Sequence, residues 1–348
     1  MLNIWLFYGA IVFSSLILAY SLTPLIIKYA TVKGITDNPQ SASRKIHTKP
    51  IPLLGGVAVF VSSSIVIMLV KFFNLADFSM ISNSLFFAII ISGLLISIGG
   101  FFDDKYNWPP LKQLAFPILA VFLVLFFGLK IDFLTNPLSS DYGIIEVGGL
   151  VGFLIALIWL LSMMYATKLL DGLDGLVSGL GVIASFFIFL TSLRWDSFLS
   201  VTDVWSLVLL GSLLGFLFYN WRPAKIFLGE GGSLFIGFML AVLSILNGSK
   251  IIITLLVMAL PILDIFLVIL QRVLAGQHPF RGDRSHLHYR LLNLGWPADR
   301  VVWFIYLLAL SFGVLGVSGS SYFKMILLIL LILLIIGFSL FLKFKKGI

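Results

Sequence analysis

The sequence predicts an all-α, polytopic membrane protein of about eleven transmembrane helices, with the N-terminus outside and the polar chemistry at the cytoplasmic face. Three observations predict this. Hydrophobic residues make up 60% of the 348 and charged residues 11%, whereas a soluble domain carries roughly 25% charged residues. Apolar runs of about 20 residues, the length that crosses a bilayer, recur along the whole chain. Lysine and arginine gather on alternate loops, which the positive-inside rule assigns to the cytoplasm.

Taken in order, the apolar runs place spans at about 4–27, 53–73, 82–102, 111–129, 149–168, 174–193, 204–220, 231–248, 251–273, 301–319 and 323–342. The first run lacks a basic leading segment and is too long for a signal-peptide core, so it reads as a mature span. The loops 28–52, 103–110, 169–173, 221–230, 274–300 and the tail 343–348 form one set. With Lys112, Lys168 and Arg272 at its edges, this set holds all but five of the 23 Lys and Arg residues. The five on the other side are Lys71, Lys130, Arg194, Lys250 and Lys324. No separate soluble domain, repeat or linker is visible, and residues 1–348 read as one integral-membrane unit. The lack of cysteine excludes disulfides and thiolate metal sites. A net charge of +8 suits anionic headgroups or phosphorylated substrates.

The same partition sorts the chemistry. All four histidines, His47, His278, His286 and His288, fall on the basic side, with Asp103, Asp104, Asp171, Asp174 and Glu230. A channel or transporter would more often place polar groups at mid-membrane on broken helices. Polar groups gathered at one face point to an enzyme at the membrane surface.

The chain is organised around Leu169-Leu170-Asp171-Gly172-Leu173-Asp174-Gly175-Leu176, two carboxylates where long apolar segments meet. Ionisable residues so placed are costly and mark function. A helical reading puts Asp171 and Asp174 on one face, and the glycines leave the backbone bare for a bulky ligand. The bland alternative is a polar loop tip. The first basic loop, Arg44-Lys45-Ile46-His47-Thr48-Lys49-Pro50-Ile51-Pro52-Leu53-Leu54-Gly55-Gly56, joins cations to a stiff Pro-x-Pro and a glycine pair. It reads as a phosphate-binding loop, or as ordinary positive-inside charge.

The third span ends at Asp103-Asp104, adjacent carboxylates that repel unless a cation or a shared proton relieves them. Mg²⁺ or a general-base role would do so. After the seventh span, Asn220-Trp221-Arg222-Pro223-Ala224-Lys225 leads to Gly229-Glu230-Gly231-Gly232-Ser233. A glycine-rich turn entering a helix offers backbone N–H groups to phosphate oxygens. A bland tight re-entry does not explain Glu230. Asp264, about two turns from the cytoplasmic end of the ninth span, reads as a structural hydrogen-bonding partner. In the longest loop Leu287, Leu291 and Leu294 follow helical spacing, which fits a segment lying in the interface with cations facing water. His286, His288, Arg281, Arg284 and Arg290 there suit an anion. A zinc site would need carboxylate partners.

These motifs, in order over nearly the whole chain, resemble the polyprenyl-phosphate N-acetylhexosamine-1-phosphate transferases. The resemblance is carried by His47 with Pro50 through Gly56, Asp103-Asp104, Asp171-Gly-Leu-Asp174-Gly, Asn220-x-x-Pro223-Ala224 with Phe227-Leu228-Gly229, and the terminal histidine loop. It implies a single membrane transferase domain, usually dimeric, in the plasma membrane with cytoplasmic catalytic loops. The implied reaction moves a sugar 1-phosphate from a UDP-N-acetylhexosamine to polyprenyl (undecaprenyl) phosphate, releases UMP and starts a cell-envelope glycan such as lipopolysaccharide or teichoic acid. Mg²⁺ is the implied cofactor, with Mn²⁺ as an alternative. Partners are the lipid, the nucleotide sugar and the bilayer, and no nucleic acid.

The implied roles are Asp103 as base, with Asp104 assisting it or stabilising Mg²⁺. His47, Lys49, Lys168, Asp171, Asp174, Asn220, His286, His288 and Arg290 would bind substrate, and Glu230 with Asp171 or Asp174 would hold the metal. His286-Leu287-His288 and Arg44-Lys45-Ile46-His47 resemble the GlcNAc type rather than the phospho-N-acetylmuramoyl-pentapeptide type, which carries three consecutive histidines. Three departures from the family pattern involve four positions. Glu230 stands for the Asp of Phe-Met-Gly-Asp, Tyr165 and Lys168 stand for Asn-x-x-Asn, and Tyr289 stands for the last histidine of His-x-His-His. A protonated lysine cannot ligate a metal, so Lys168 pairs with Glu230 or binds diphosphate instead. These departures leave open a non-catalytic relative that binds polyprenyl phosphate. A transporter of anions is the third alternative, supported by Asp264 alone.

Overall fold

A computed structural model describes residues 2–41, 49–136, 144–195, 198–248, 251–274, 276 and 286–346. The chain is almost wholly helical, because long runs of Leu, Ile, Phe and Ala favour helix and because a backbone in lipid must satisfy its own hydrogen bonds. Helix α1 (Leu2–Val32) is followed by the paired strands β1 (Thr36–Asp37) and β2 (Ile51–Pro52) and by α2 (Gly55–Phe72). Next come α3 (Asn83–Tyr106), α4 (Pro110–Gln113), α5 (Ala115–Phe126) and a second hairpin, β3 (Phe133–Thr135) with β4 (Ile144–Glu146). The remaining helices are α6 (Gly149–Leu170), α7 (Leu176–Trp195), α8 (Val201–Asn220), α9 (Gly229–Leu246), α10 (Ile251–Val257), α11 (Ala259–Leu274), α12 (Leu287–Asn293), α13 (Ala298–Ser318) and α14 (Ser321–Lys346).

Each of the eleven predicted spans falls on one of these helices or on an adjoining pair. Eight helices among the described residues are long and apolar enough to cross a membrane, and nine if α10 and α11 count as one span. The apolar stretches Pro110–Phe126 and Ser321–Leu334 are shorter. Helices α10 and α11 meet at 76°, where a straight span was expected at 251–273. The two hairpins lay outside the all-α expectation. They are two or three residues per strand, too short to leave a hydropathy signal.

Helices α8 and α9 form the centre, and α1, α2, α3, α6 and α7 pack around them. The two ends of the bundle are tied separately. At one end the capping box of Ser200 and Asp203 starts α8, and Tyr8 of α1 donates to Asp203 Oδ2 at 2.8 Å. At the other end the turn between α8 and α9 caps α2. The first N–H groups of a helix have no partner within it. Here Gly55 N–H donates to Phe227 O at 2.9 Å and Gly56 N–H to Leu228 O at 2.8 Å, while Phe227 N–H donates to Pro52 O at 2.9 Å.

Glycines set the spacing at this end. A Cβ on Gly56 would lie 2.0 Å from Gly232 Cα, and one on Gly100 would lie 2.1 Å from Gly231 Cα. Small residues let helix backbones touch, and these pairs seat the start of α9 between α2 and α3. The glycine-rich entry to α9 therefore serves close packing. It does not stand open as a cradle of free N–H groups.

Candidate active site

Neighbouring ends of α3, α6 and α9 bring four of the expected residues together. Asp103 and Asp104 lie in the last turn of α3, which ends at Asn107 in the left-handed region, φ 49°. Pro109 and Pro110 then redirect the chain into α4, whose last residue is Gln113. Asp103 is buried, and its Oδ1 accepts from Trp108 N–H at 3.0 Å and from Gln113 Nε2 at 3.2 Å. Gln113 Oε1 accepts from Lys168 Nζ at 2.9 Å. Lys168 Nζ lies 2.8 Å from Glu230 Oε2, and Glu230 N–H donates to Asp104 Oδ1 at 3.1 Å. Asp103, Gln113, Lys168, Glu230 and Asp104 thus form one circuit drawn from four helices. Gln113 is absent from the sequence-based site, and its only signal was a polar side chain at the edge of a predicted span.

The central stretch is a turn, since α6 stops at Leu170 and α7 begins at Leu176. The helical reading of Asp171 and Asp174 therefore does not hold. Burial, then the charges of Glu230, Asp37 and Asp174, push the Asp171 carboxyl up to about 8. Asp37, on β1, is a second residue that sequence reasoning left out. Asp174 Oδ2 accepts from Ala224 N–H at 3.1 Å and so holds the α8–α9 turn. Gly175 has φ +76°, and its carbonyl accepts from Tyr306 Oη of α13.

The terminal histidines close over this turn. A Cβ on Gly172 would lie 2.6 Å from Tyr289 Oη and 3.0 Å from His288 Nε2. The bare backbone there admits the chain's own α12. Leu287 and Leu291 are buried. The amphipathic segment thus turns its apolar residues into the protein, where an interfacial face toward lipid was expected. The rings of His286 and His288 lie parallel within 5° at 6.0 Å. Burial, then the neighbouring His286, hold the His288 imidazole down at about 3. His286 Nδ1 lies 3.0 Å from Asp264 Oδ2, and Leu287 N–H donates to Asp264 Oδ1 at 2.8 Å. Asp264 is therefore structural as expected, but its task is to fix the histidine segment.

Asn220, Lys49 and Arg290 are not members of this circuit. Asn220 is buried with its amide engaged, donating to Ile226 O at 2.9 Å and accepting from Ser178 Oγ at 2.7 Å. Lys49 is exposed. Arg290 Nη2 donates to Gln271 Oε1 at 3.0 Å. His47 lies outside the described residues. Among those described, no three His, Asp or Glu side chains converge as a metal-binding group. The Glu230 carboxylate carries an ammonium where the expected metal would sit. The set Glu230, Asp171 and Asp174 does not fit Mg²⁺ in this arrangement.

The profile of "Glycosyl transferase family 4" matches residues 86–248. That stretch runs from α3 to the end of α9 and contains the whole circuit. A Bacillus subtilis (strain 168) protein named "Probable undecaprenyl-phosphate N-acetylglucosaminyl 1-phosphate transferase" is 31% identical over 309 residues, covering 87% of this chain and 82% of its own. The "Decaprenyl-phosphate N-acetylglucosaminephosphotransferase" of Mycobacterium leprae (strain TN) is 32% identical over 316 residues, 82% of this chain and 79% of its own. The "Phospho-N-acetylmuramoyl-pentapeptide-transferase" of Limosilactobacillus reuteri (strain DSM 20016) is 29% identical over 313 residues, 86% of this chain and 94% of its own.

Proposed function

The chain belongs to glycosyl transferase family 4, among the polyprenyl-phosphate N-acetylhexosamine-1-phosphate transferases, and from that membership we propose that it transfers N-acetylglucosamine 1-phosphate from UDP-GlcNAc to a polyprenyl phosphate, releasing UMP. The observation that carries the reading is the circuit at one end of the bundle, where carboxylates and one ammonium meet beside membrane-spanning helices. Both substrates are anions, one in water and one in lipid, and that boundary is where they meet. The GlcNAc donor is preferred because the muramoyl-pentapeptide relative is the less similar of those compared.

Phosphoryl transfer depends on positioning and charge neutralisation. Asp103 takes the proton from the acceptor phosphate. Both hydrogen bonds to its carboxylate from the described residues fall on Oδ1, which leaves Oδ2 for that proton. The acceptor oxygen then bonds to the sugar-bearing phosphorus, and the bond from that phosphorus to the bridging oxygen breaks. The bridging oxygen leaves with UMP. Asp104, tied to Glu230 N–H, fixes the start of α9 against α3. His286, His288, Lys49, Arg290 and, outside the described residues, His47 hold the diphosphate and the sugar. Mg²⁺ is given no step, because its expected ligands are not assembled.

The charge asymmetry of the loops supports a cytoplasmic position for this face in our reading, with the protein multi-pass in the plasma membrane. The reading extends to a homodimer, as the family resemblance implies. The test is UMP release by the purified protein supplied with undecaprenyl phosphate and UDP-GlcNAc, with UDP-MurNAc-pentapeptide in parallel. Release with UDP-GlcNAc supports the reading. Lipid binding without UMP release from any UDP-N-acetylhexosamine would identify a non-catalytic relative instead.

A further inference from the structure

Lys168 is fixed more firmly than a surface lysine. Its side chain is 14% exposed. It stands on the last turn of α6, which is locked to α9. A Cβ on Gly237 of α9 would lie 2.4 Å from Met163 O and 2.3 Å from Thr167 Oγ1. The helix that carries Lys168 and the helix that carries Glu230 therefore touch backbone to backbone within two turns of the pair. An ammonium has three donors. Gln113 Oε1 takes one of them at 2.9 Å, and Glu230 Oε2 lies 2.8 Å from the same nitrogen as an ion pair. Among the described residues, donor capacity is left for an anion. Gln113 links the same ammonium to Asp103. Glutamate, one methylene longer than aspartate, carries its carboxylate from α9 to Lys168 on α6. A divalent ion on Glu230 would sit beside a positive charge that already holds that carboxylate.

We propose that Lys168, held by Glu230 and Gln113, is the resident cation of the site and neutralises the diphosphate in place of a divalent metal. The proposal rests on the transferase reading and deepens it. No bond forms to Lys168. It donates a hydrogen bond as negative charge moves onto the bridging oxygen that departs with UMP. Losing one such preorganised donor costs about 10²–10³-fold in rate.

The experiment uses the full chain and two readouts. One is UMP release with Mg²⁺ or with excess EDTA. The other is direct titration with Mn²⁺, read by electron paramagnetic resonance without substrates. The expected results are release in EDTA within about twofold of the Mg²⁺ rate and no stoichiometric Mn²⁺ site. Lys168→Asn alone is expected to lose about 10²–10³-fold in EDTA. Lys168→Asn with Glu230→Asp is expected to bind Mn²⁺ and to work only with added metal. One tightly bound Mn²⁺ per wild-type chain, or loss of release in EDTA, overturns the proposal. If wild type releases no UMP under any condition, the transferase reading fails, and the Mn²⁺ titration still decides the cation. That titration needs no variant, so a misfolded Lys168→Asn leaves the test intact.

Discussion

Gly100→Ala tests whether helix contact sets the site. The added Cβ would lie 2.1 Å from Gly231 Cα and N. Carbon atoms in contact sit at about 3.5 Å or more, so α3 and α9 must separate by about 1.4 Å. The obstacle is backbone, which cannot swing aside as a side chain can. Asp103 and Asp104 lie on the next turn of α3, and Glu230 precedes Gly231, so the displacement falls directly on the circuit. A misplacement of about 1 Å costs up to 10²-fold in rate, and overpacking a tight contact costs about 1–3 kcal/mol in stability.

Gly231→Ala is the internal control. A Cβ there would meet its nearest atom at 3.2 Å, a contact relieved by a few tenths of an ångström. UMP release under saturating substrates, with melting temperature measured on the same preparations, is the assay. Gly100→Ala should lose about 10²-fold in kcat while Gly231→Ala stays within about fivefold. Equal activities for the two variants, with Gly100→Ala near wild type, would refute the claim that this contact positions the carboxylates.

Three other outcomes are expected. Asp103→Asn keeps the shape and removes the base, so kcat should fall about 10²–10⁴-fold; unchanged turnover would dismiss Asp103 as the proton acceptor. Asp264→Asn keeps an acceptor for Leu287 N–H but loses the charge beside His286. It should cost about 1–3 kcal/mol in stability and raise KM for the UDP-sugar more than it lowers kcat, and an unchanged KM would count against the positioning role. Asp171, raised to about 8 in the fold from about 3.9 when unfolded, contributes stability that is full below about 4 and is lost as pH rises through about 8. Melts at pH 6 and pH 9 should show that loss in wild type and a smaller one in Asp171→Asn. Parallel curves would assign the loss to another group.

Much of this was legible because membrane physics writes large signals into sequence. Hydropathy placed each predicted span on a helix or an adjoining pair, of which eight helices among the described residues are long and apolar enough to cross a membrane, and loop charge separated the end that carries Asp103, Asp104, Asp171 and Glu230 from the end that carries Asp77 and Asp203. The pairing of Lys168 with Glu230 was also visible as two coordinated departures from a family pattern. What stayed hidden depends on three-dimensional neighbours. Hydropathy does not mark the bend between Val257 and Ala259, because both arms are apolar; its local signal is Pro261, which has no N–H to bond Val257 O. Gln113 and Asp37 are ordinary polar residues until α4 and β1 bring them to the carboxylates. The glycines of the α9 entry fit a phosphate loop and a packing seam equally well, and only the positions of Gly56 and Gly100 decide between them.

The cap on α2 has a consequence for how the protein is made. Gly55 and Gly56 find their hydrogen-bond acceptors at Phe227 and Leu228, about 170 residues further along the chain. While the ribosome makes the intervening helices, those N–H groups must be served by water. The start of α2 therefore stays wet during insertion and is sealed only when α9 arrives. A chain interrupted anywhere between α2 and α9 should insert its early helices yet leave this end unsealed and open to protease. Supplying the second fragment separately should restore protection and activity together.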